Sequence, residues 1–163
     1  MEELFAPPTA VWRRISPSFT TMRRLTSLVE VVVVVAVIAV VVGAVTSRWW
    51  LVVLIVVVGI VALAIRLQVV TRQGRAWGFA LRDDDLYITH GVMFRSLTAV
   101  PYGRMQLVEV NAGPIERAFG VSTVKLVTAS ASTDATIVGL PPSEAAELRD
   151  QLTTLGETKA SGL

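Results

Sequence analysis

Between Leu28 and Val45 the chain is apolar except for one charge, Glu30, close to the start of the stretch. After Thr46-Ser47-Arg48, a second apolar stretch runs from Trp49 to Ile65 and continues past Arg66 through Leu67 to Val70. A membrane-crossing helix needs about 20 mostly apolar residues, within a range of about 17–25. Both stretches therefore predict spans, over 28–45 and 49–70. The valine run Val31–Val35 would favour a strand in water. In hydrocarbon an open strand leaves its backbone donors and acceptors unpaired, whereas a helix pairs its own. The short linker can hold no domain, so the spans form an antiparallel hairpin.

From Trp77 the period changes. Trp77, Phe79 and Leu81 alternate with Gly78 and Ala80, the spacing of a strand. Asp83-Asp84-Asp85 reads as a turn, Leu86–Thr89 as a second strand, and His90-Gly91 as another turn that leaves the histidine solvated. Met93–Val100, Leu107–Val110, Val121–Ala129 and Thr136–Val138 are further strand candidates. They are separated by Pro101, by Asn111-Ala112-Gly113-Pro114 and by the polar loop Ser130–Asp134. The last element is helical: Ala145, Leu148, Leu152 and Leu155 recur on one face. Ser143 fits the N-cap, Glu144 and Glu147 fit the first turn, and Gly156 supplies a stop. The expected layout is a basic N-terminal segment over 1–27, the hairpin over 28–70, a folded domain over 71–156 and a flexible tail over 157–163.

Charge orients the hairpin. Arg13, Arg14, Arg23 and Arg24 precede the first span, and Arg66, Arg72 and Arg75 lie at or beyond the end of the second. The connecting turn has only Arg48. Basic residues favour the cytoplasmic side, which places both termini in the cytoplasm and the hairpin in the cell membrane. Trp49 and Trp50 suit the outer interface. Arg66 can extend its charge to the inner interface along an apolar stem, and Glu30 is expected at the headgroup level near Arg23 and Arg24. Arg13, Arg14, Arg23, Arg24, Arg72 and Arg75 can each attract anionic lipid by about 1 kcal/mol.

Composition agrees with this division. Hydrophobic residues make up 53% of the 163 and charged residues 17%, an apolar excess for a soluble domain. There is no cysteine, which excludes disulfides and thiolate chemistry, and the single histidine excludes a multi-imidazole metal site. Adjacent aspartates at 83–85 cannot all face one ion. No serine lies in a recognisable triad order, no glycine loop cradles phosphate, and no dense basic stripe invites nucleic acid. The chain is expected to be neither an enzyme nor a nucleic-acid binder, with no cofactor, metal or small-molecule substrate.

Several runs in the domain carry a recognisable pattern: Asp85-Leu86-Tyr87-Ile88-Thr89-His90-Gly91-Val92; Val100-Pro101-Tyr102-Gly103-Arg104-Met105-Gln106-Leu107-Val108; and Gly113-Pro114-Ile115-Glu116-Arg117-Ala118-Phe119-Gly120-Val121. With the opening Trp77, the closing Gly139-Leu140 and the final helix, they resemble the bacterial pleckstrin-homology membrane proteins, the YdbS-like family. Gly103 and Met105 stand where that family often has a basic residue and isoleucine. The resemblance extends over nearly the whole chain. It implies an α+β domain after the hairpin: a strongly bent antiparallel sheet, or partly open barrel, of about seven strands capped by the C-terminal helix. It leaves the ligand open, because one fold hosts many functions.

Within the motifs, Tyr102 can bury its ring. Arg104 and Gln106 lie two apart and would share a face of a strand. Arg117 falls in a loop that Gly113-Pro114 starts and Gly120 ends. Tyr102, Arg104, Gln106 and Arg117 form the candidate binding surface. The alternative is that their polar groups tie neighbouring loops and strand ends together. The expected function is a membrane-anchored scaffold on the cytoplasmic face that assembles with a protein partner or with itself, Gly43 and Gly59 permitting close helix approach. The competing expectation is lipid sensing or handling in envelope maintenance or stress resistance.

Overall fold

A computed structural model of the chain describes residues 12–46, 48–129 and 135–160. It divides into a unit over Thr20–Arg72 and a second unit that joins the chain through Phe19 to the chain from Gln73 onward.

Two helices, α1 (Pro17–Val45) and α2 (Trp49–Ala76), contain the first unit. They are 29 and 28 residues long. At 1.5 Å per residue each measures about 42–44 Å, more than the ~30 Å of a hydrocarbon core. Each helix thus outlasts its apolar stretch: α1 begins at Pro17, not at 28, and α2 ends at Ala76, not at 70. The physical reason is that apolarity marks the membrane and not the helix. Ser16 Oγ accepts from the Ser18 N–H at 3.2 Å, and Pro17 at the first helical position loses no bond. Both helices expose valine and isoleucine around their circumference, including Val33, Val40, Val57 and Ile60. Water does not tolerate so large an apolar surface on a monomer, and both helices are long and apolar enough to cross a membrane. They meet at Gly59, where an added Cβ would come within 2.5 Å of Val35 Cγ2. Gly43 has no such neighbour; a Cβ there would meet Val52 at an ordinary 3.7 Å.

The second unit has two antiparallel sheets. The first runs β1 (Arg13–Arg14), β2 (Gly78–Leu81), β3 (Asp85–His90), β4 (Ser96–Pro101); the second runs β5 (Met105–Asn111), β6 (Ser122–Thr128), β7 (Ala135–Leu140). A one-turn helix, α3 (Pro114–Ala118), links β5 to β6, and α4 (Pro142–Ala160) closes the domain. The sequence offers six strand candidates after the hairpin, and the seventh strand lies before it. Arg13 pairs with Phe79 and Arg14 with Gly78, so part of the expected N-terminal segment is a sheet strand and the hairpin is an insertion between two neighbouring strands. The segment 1–11 lies outside the described residues.

Alternation builds the core. Val124 and Leu126 of β6 and Ile137 of β7 face inward beside Phe79, Leu86, Ile88 and Val100. Ala145, Leu148 and Leu152 of α4 are buried against them, with Leu155 partly buried, as their spacing predicts. Burying side chains of this size contributes about 1.5–3 kcal/mol each.

Four local expectations change. The strand expected over Met93–Val100 starts at Ser96, because Gly91 adopts φ +99 and opens a tight turn that occupies the next residues. The loop expected over 113–120 contains α3, started by Pro114 and capped by Glu116, whose Oε2 accepts from the Gly113 N–H at 2.8 Å. The last helix passes through Gly156 to Ala160. Glycine costs about 1 kcal/mol there, offset by the flanking Leu152 and Leu155 and by Lys159, whose Nζ lies 2.6 Å from Asp84 Oδ1. The expected tail is therefore helical to Ala160. Finally, His90 ends β3: its ring stacks on Trp77 at 5.0 Å, and its Nε2 lies 2.9 Å from Ser96 Oγ. The loop expected at 130–134 and residues 161–163 fall outside the described residues.

Candidate functional site

Strand β5 is an edge: it pairs with β6 and with no other strand among the described residues. The register slips between Met105 and Leu107, which leaves Gln106 without a cross-strand partner. Such a bulge turns the strand and re-aims its side chains. Beside this edge, α4 and β5 enclose a cleft of about 210 Å³ lined by Met105, Gln106, Leu107, Leu152, Thr153 and Gly156, with Glu157 at its margin. Leu107 is half exposed. An unpaired edge presents backbone N–H and C=O groups in a row. Beside it the cleft offers an apolar wall, one amide and one carboxylate. This arrangement can receive an extended peptide segment, with the main chain supplying affinity and the cleft selecting side chains.

The four motif residues scatter around this cleft. Gln106 lines it. Tyr102 is fully buried, and its hydroxyl donates to the Arg82 carbonyl at 2.8 Å while its N–H donates to the Asp84 carbonyl at 3.1 Å. Tyr102 thus holds the acidic turn against the core. Burial is the chief reason its pKa is raised from 10.0; the bond to Arg82 opposes that, and the carboxylates of Asp85, Asp83 and Asp84 reinforce it. Arg104 ends a 3-10 turn (Tyr102–Arg104) and does not belong to a strand, so it does not share a strand face with Gln106; its carbonyl accepts from the Ala129 N–H at 3.3 Å. Arg117 is exposed on α3. Strand β5, seven residues long, separates the two arginines along the chain.

The remaining basic residues divide between the units. Arg13 and Arg14 form β1, and an Arg13 nitrogen lies 3.9 Å from Glu144. Arg23 and Arg24 lie in the first turns of α1, and Arg24 donates to Thr71 Oγ1 at 2.8 and 3.1 Å. Arg72 and Arg75 lie in the last turns of α2, and Trp49 and Trp50 open that helix, exposed. Glu30 does not turn to Arg23 or Arg24; its Oε2 lies 2.6 Å from an Arg66 nitrogen. The sequence did hold a signal for this pair: in an antiparallel hairpin, residues at similar distances from the turn face each other, and Glu30 and Arg66 are nearly equidistant from Ser47. Between the helices, Val34, Ile38, Leu54 and Val58 line an apolar groove of about 480 Å³ that the Glu30–Arg66 pair borders.

Two lipid-exposed helices joined to strands in two sheets, with a helix across them, define a membrane protein carrying a pleckstrin-homology-like domain. The chain belongs to the Bacterial PH domain family, which matches residues 25–155. It is similar to UPF0699 transmembrane protein YdbS of Bacillus subtilis (strain 168), 30% identical over 81 residues, or 50% of this chain and 50% of that protein. The chain therefore matches about half the length of that relative. No solved structure matches it.

Proposed function

We propose that this protein is a membrane-anchored binding module of the cytoplasmic face, without catalytic activity, whose β5–α4 cleft takes an extended segment of a partner protein. The free edge of β5, with the exposed Leu107 beside the bulged Gln106, is the observation that carries this reading. A second copy of the chain would serve as partner as well as a different membrane protein. The cytoplasmic placement rests on the arginines at the outer ends of the helices and the lone Arg48 at their turn. Pairing of β1 with β2 supports both outer helix ends lying on one and the same side, since strands from either side of the hairpin can meet only on one side of a bilayer.

Photo-cross-linking probes at Gln106 and Leu107, with a control at Asp83, test the reading in intact cells. One abundant protein adduct from the two cleft positions, absent from the control, is expected. Adducts with many unrelated proteins, or with lipid alone, would overturn it. The apolar groove bordered by Glu30 and Arg66 favours a second reading, lipid sensing, because an acyl chain matches its walls and a headgroup its charges. Adducts with one lipid class from a probe at Ile38 would favour that alternative.

A further inference from the structure

Outside the two long helices, the exposed large apolar side chains among the described residues are Val92, Met93, Phe94, Leu107 and Ile115. Three of the five are consecutive. They form the turn between β3 and β4, where Met93 is 87% and Phe94 86% exposed, and the exposed Arg95 follows them. The turn is built to this shape: Gly91 has φ +99, and a Cβ there would collide with the Phe94 carbonyl oxygen. Beneath it, the Trp77–His90 stack and the contact of His90 with Ser96 brace the two strand ends.

The register locates this turn within the domain. Arg14 pairs with Gly78, Gly78 with Thr89, and Thr89 with Leu97, a row across the whole first sheet. At this same end of the sheet the chain leaves β1 for α1 and returns from α2 into β2. Seven residues of chain lie between Val70, the end of the apolar stretch, and Gly78. The opposite end of the sheet, where Leu81 pairs with Leu86, carries the acidic turn Asp83-Asp84-Asp85. One end is apolar and basic, with Arg14 and Arg95, and lies next to the tethers. The other is acidic and far from them.

We propose that the β3–β4 turn is a membrane-surface anchor: Met93 and Phe94 insert into the interfacial region of the bilayer that holds the hairpin, and Arg14 and Arg95 face its anionic headgroups. Apolar side chains flanked by basic ones partition into this region, and anionic lipid adds attraction within a Debye length. The anchor is independent of the β5–α4 cleft.

The chain has no cysteine, so single labels are clean. Full-length Met93→Cys and Asp83→Cys, each carrying an environment-sensitive nitrobenzoxadiazole label, are placed in nanodiscs of phosphatidylcholine and phosphatidylglycerol containing lipid spin-labelled near the headgroup. The label at position 93 is expected to shift to the blue and be quenched by the spin-labelled lipid, while that at 83 does neither. Equal, water-like signals at both positions overturn the proposal. So does a blue shift at 93 without lipid quenching, which means that protein covers the turn. Adding Phe94→Ser, a change at an exposed side chain, is expected to remove most of the quenching at 93; unchanged quenching refutes the role of this apolar pair.

Discussion

The hairpin and the strand domain use the same apolar alphabet to opposite ends. In β6 and β7, inward residues such as Val124, Leu126 and Ile137 alternate with outward ones such as Lys125 and Thr136, and only the inward set is buried. In α1 and α2, valine and isoleucine occupy nearly every face and almost none is buried by protein. A valine in the domain is held by shape against its neighbours; a valine in the hairpin is held by solvent. The contrast teaches where specificity resides. In the hairpin it is confined to a few contacts, such as Gly59 against Val35, Glu30 against Arg66 and Arg24 against Thr71, whereas in the domain it is spread through the core.

The largest test of this contrast is a pair of truncations. Leu126→Ala is expected to cost about 2–5 kcal/mol in the domain, and Val33→Ala, at an exposed site on α1, less than about 0.5 kcal/mol. Denaturant titration of the β-sheet circular dichroism in nanodiscs measures the first, and equal costs at the two sites would erase the distinction. Next comes Gly59→Leu, which forces a side chain into Val35 and is expected to cost about 1–3 kcal/mol of hairpin packing. Spin labels at Ile38→Cys and Ile55→Cys should report a wider interhelical distance; an unchanged distance means that the helices do not need this contact.

A smaller effect belongs to the ion pair. A double-mutant cycle of Glu30→Gln and Arg66→Gln should give a favourable coupling of about 0.5–3 kcal/mol, read from hairpin unfolding in detergent mixtures. The low end marks water-rich headgroups and the high end marks hydrocarbon. A coupling of zero removes the pair from the account of hairpin specificity. The smallest effect concerns the end of α4. The hydrogen bond to Asp84 raises the Lys159 pKa from 10.5. A cation with a raised folded pKa lends its full stabilisation below its unfolded value and loses it as pH climbs through the folded one. The last turn of α4 should therefore fray as pH rises above about 10.5, its amides exchanging more slowly than those of Lys159→Met below that pH and converging on them above it. Identical pH profiles for the two proteins would contradict the clamp.

Legibility followed the same divide. The spans could be read directly, because lipid asks only for apolarity over sufficient length. Their helices ran on at both outer ends, where Arg23, Arg24, Arg72 and Arg75 keep a helix without announcing it. Alternation exposed β2, β3 and β6, and the spacing of Ala145, Leu148, Leu152 and Leu155 exposed α4. Met93 and Phe94 were misleading because strand formers and surface anchors draw on the same residue types. Strand β1 left no local signal, being two arginines whose ladder partner among the described residues follows the entire hairpin. At the site, the spacing of Arg104 and Gln106 suggested one strand face, whereas Arg104 closes a 3-10 turn and Gln106 alone of the two lies on β5.

The pairing of β1 with β2 also sets a timetable for biosynthesis. Arg13 and Arg14 leave the ribosome first, and their partners Phe79 and Gly78 emerge only after the entire hairpin, seconds later at about 5–20 residues per second. Until then, the first strand has nowhere to dock. Completing the sheet requires the nascent chain to have crossed the bilayer and come back, so the finished domain serves as a receipt for correct insertion. A ribosome-released chain whose hairpin stalls halfway keeps its first and second strands on opposite sides of the membrane, and quality-control proteases meet a second strand that lacks its partner.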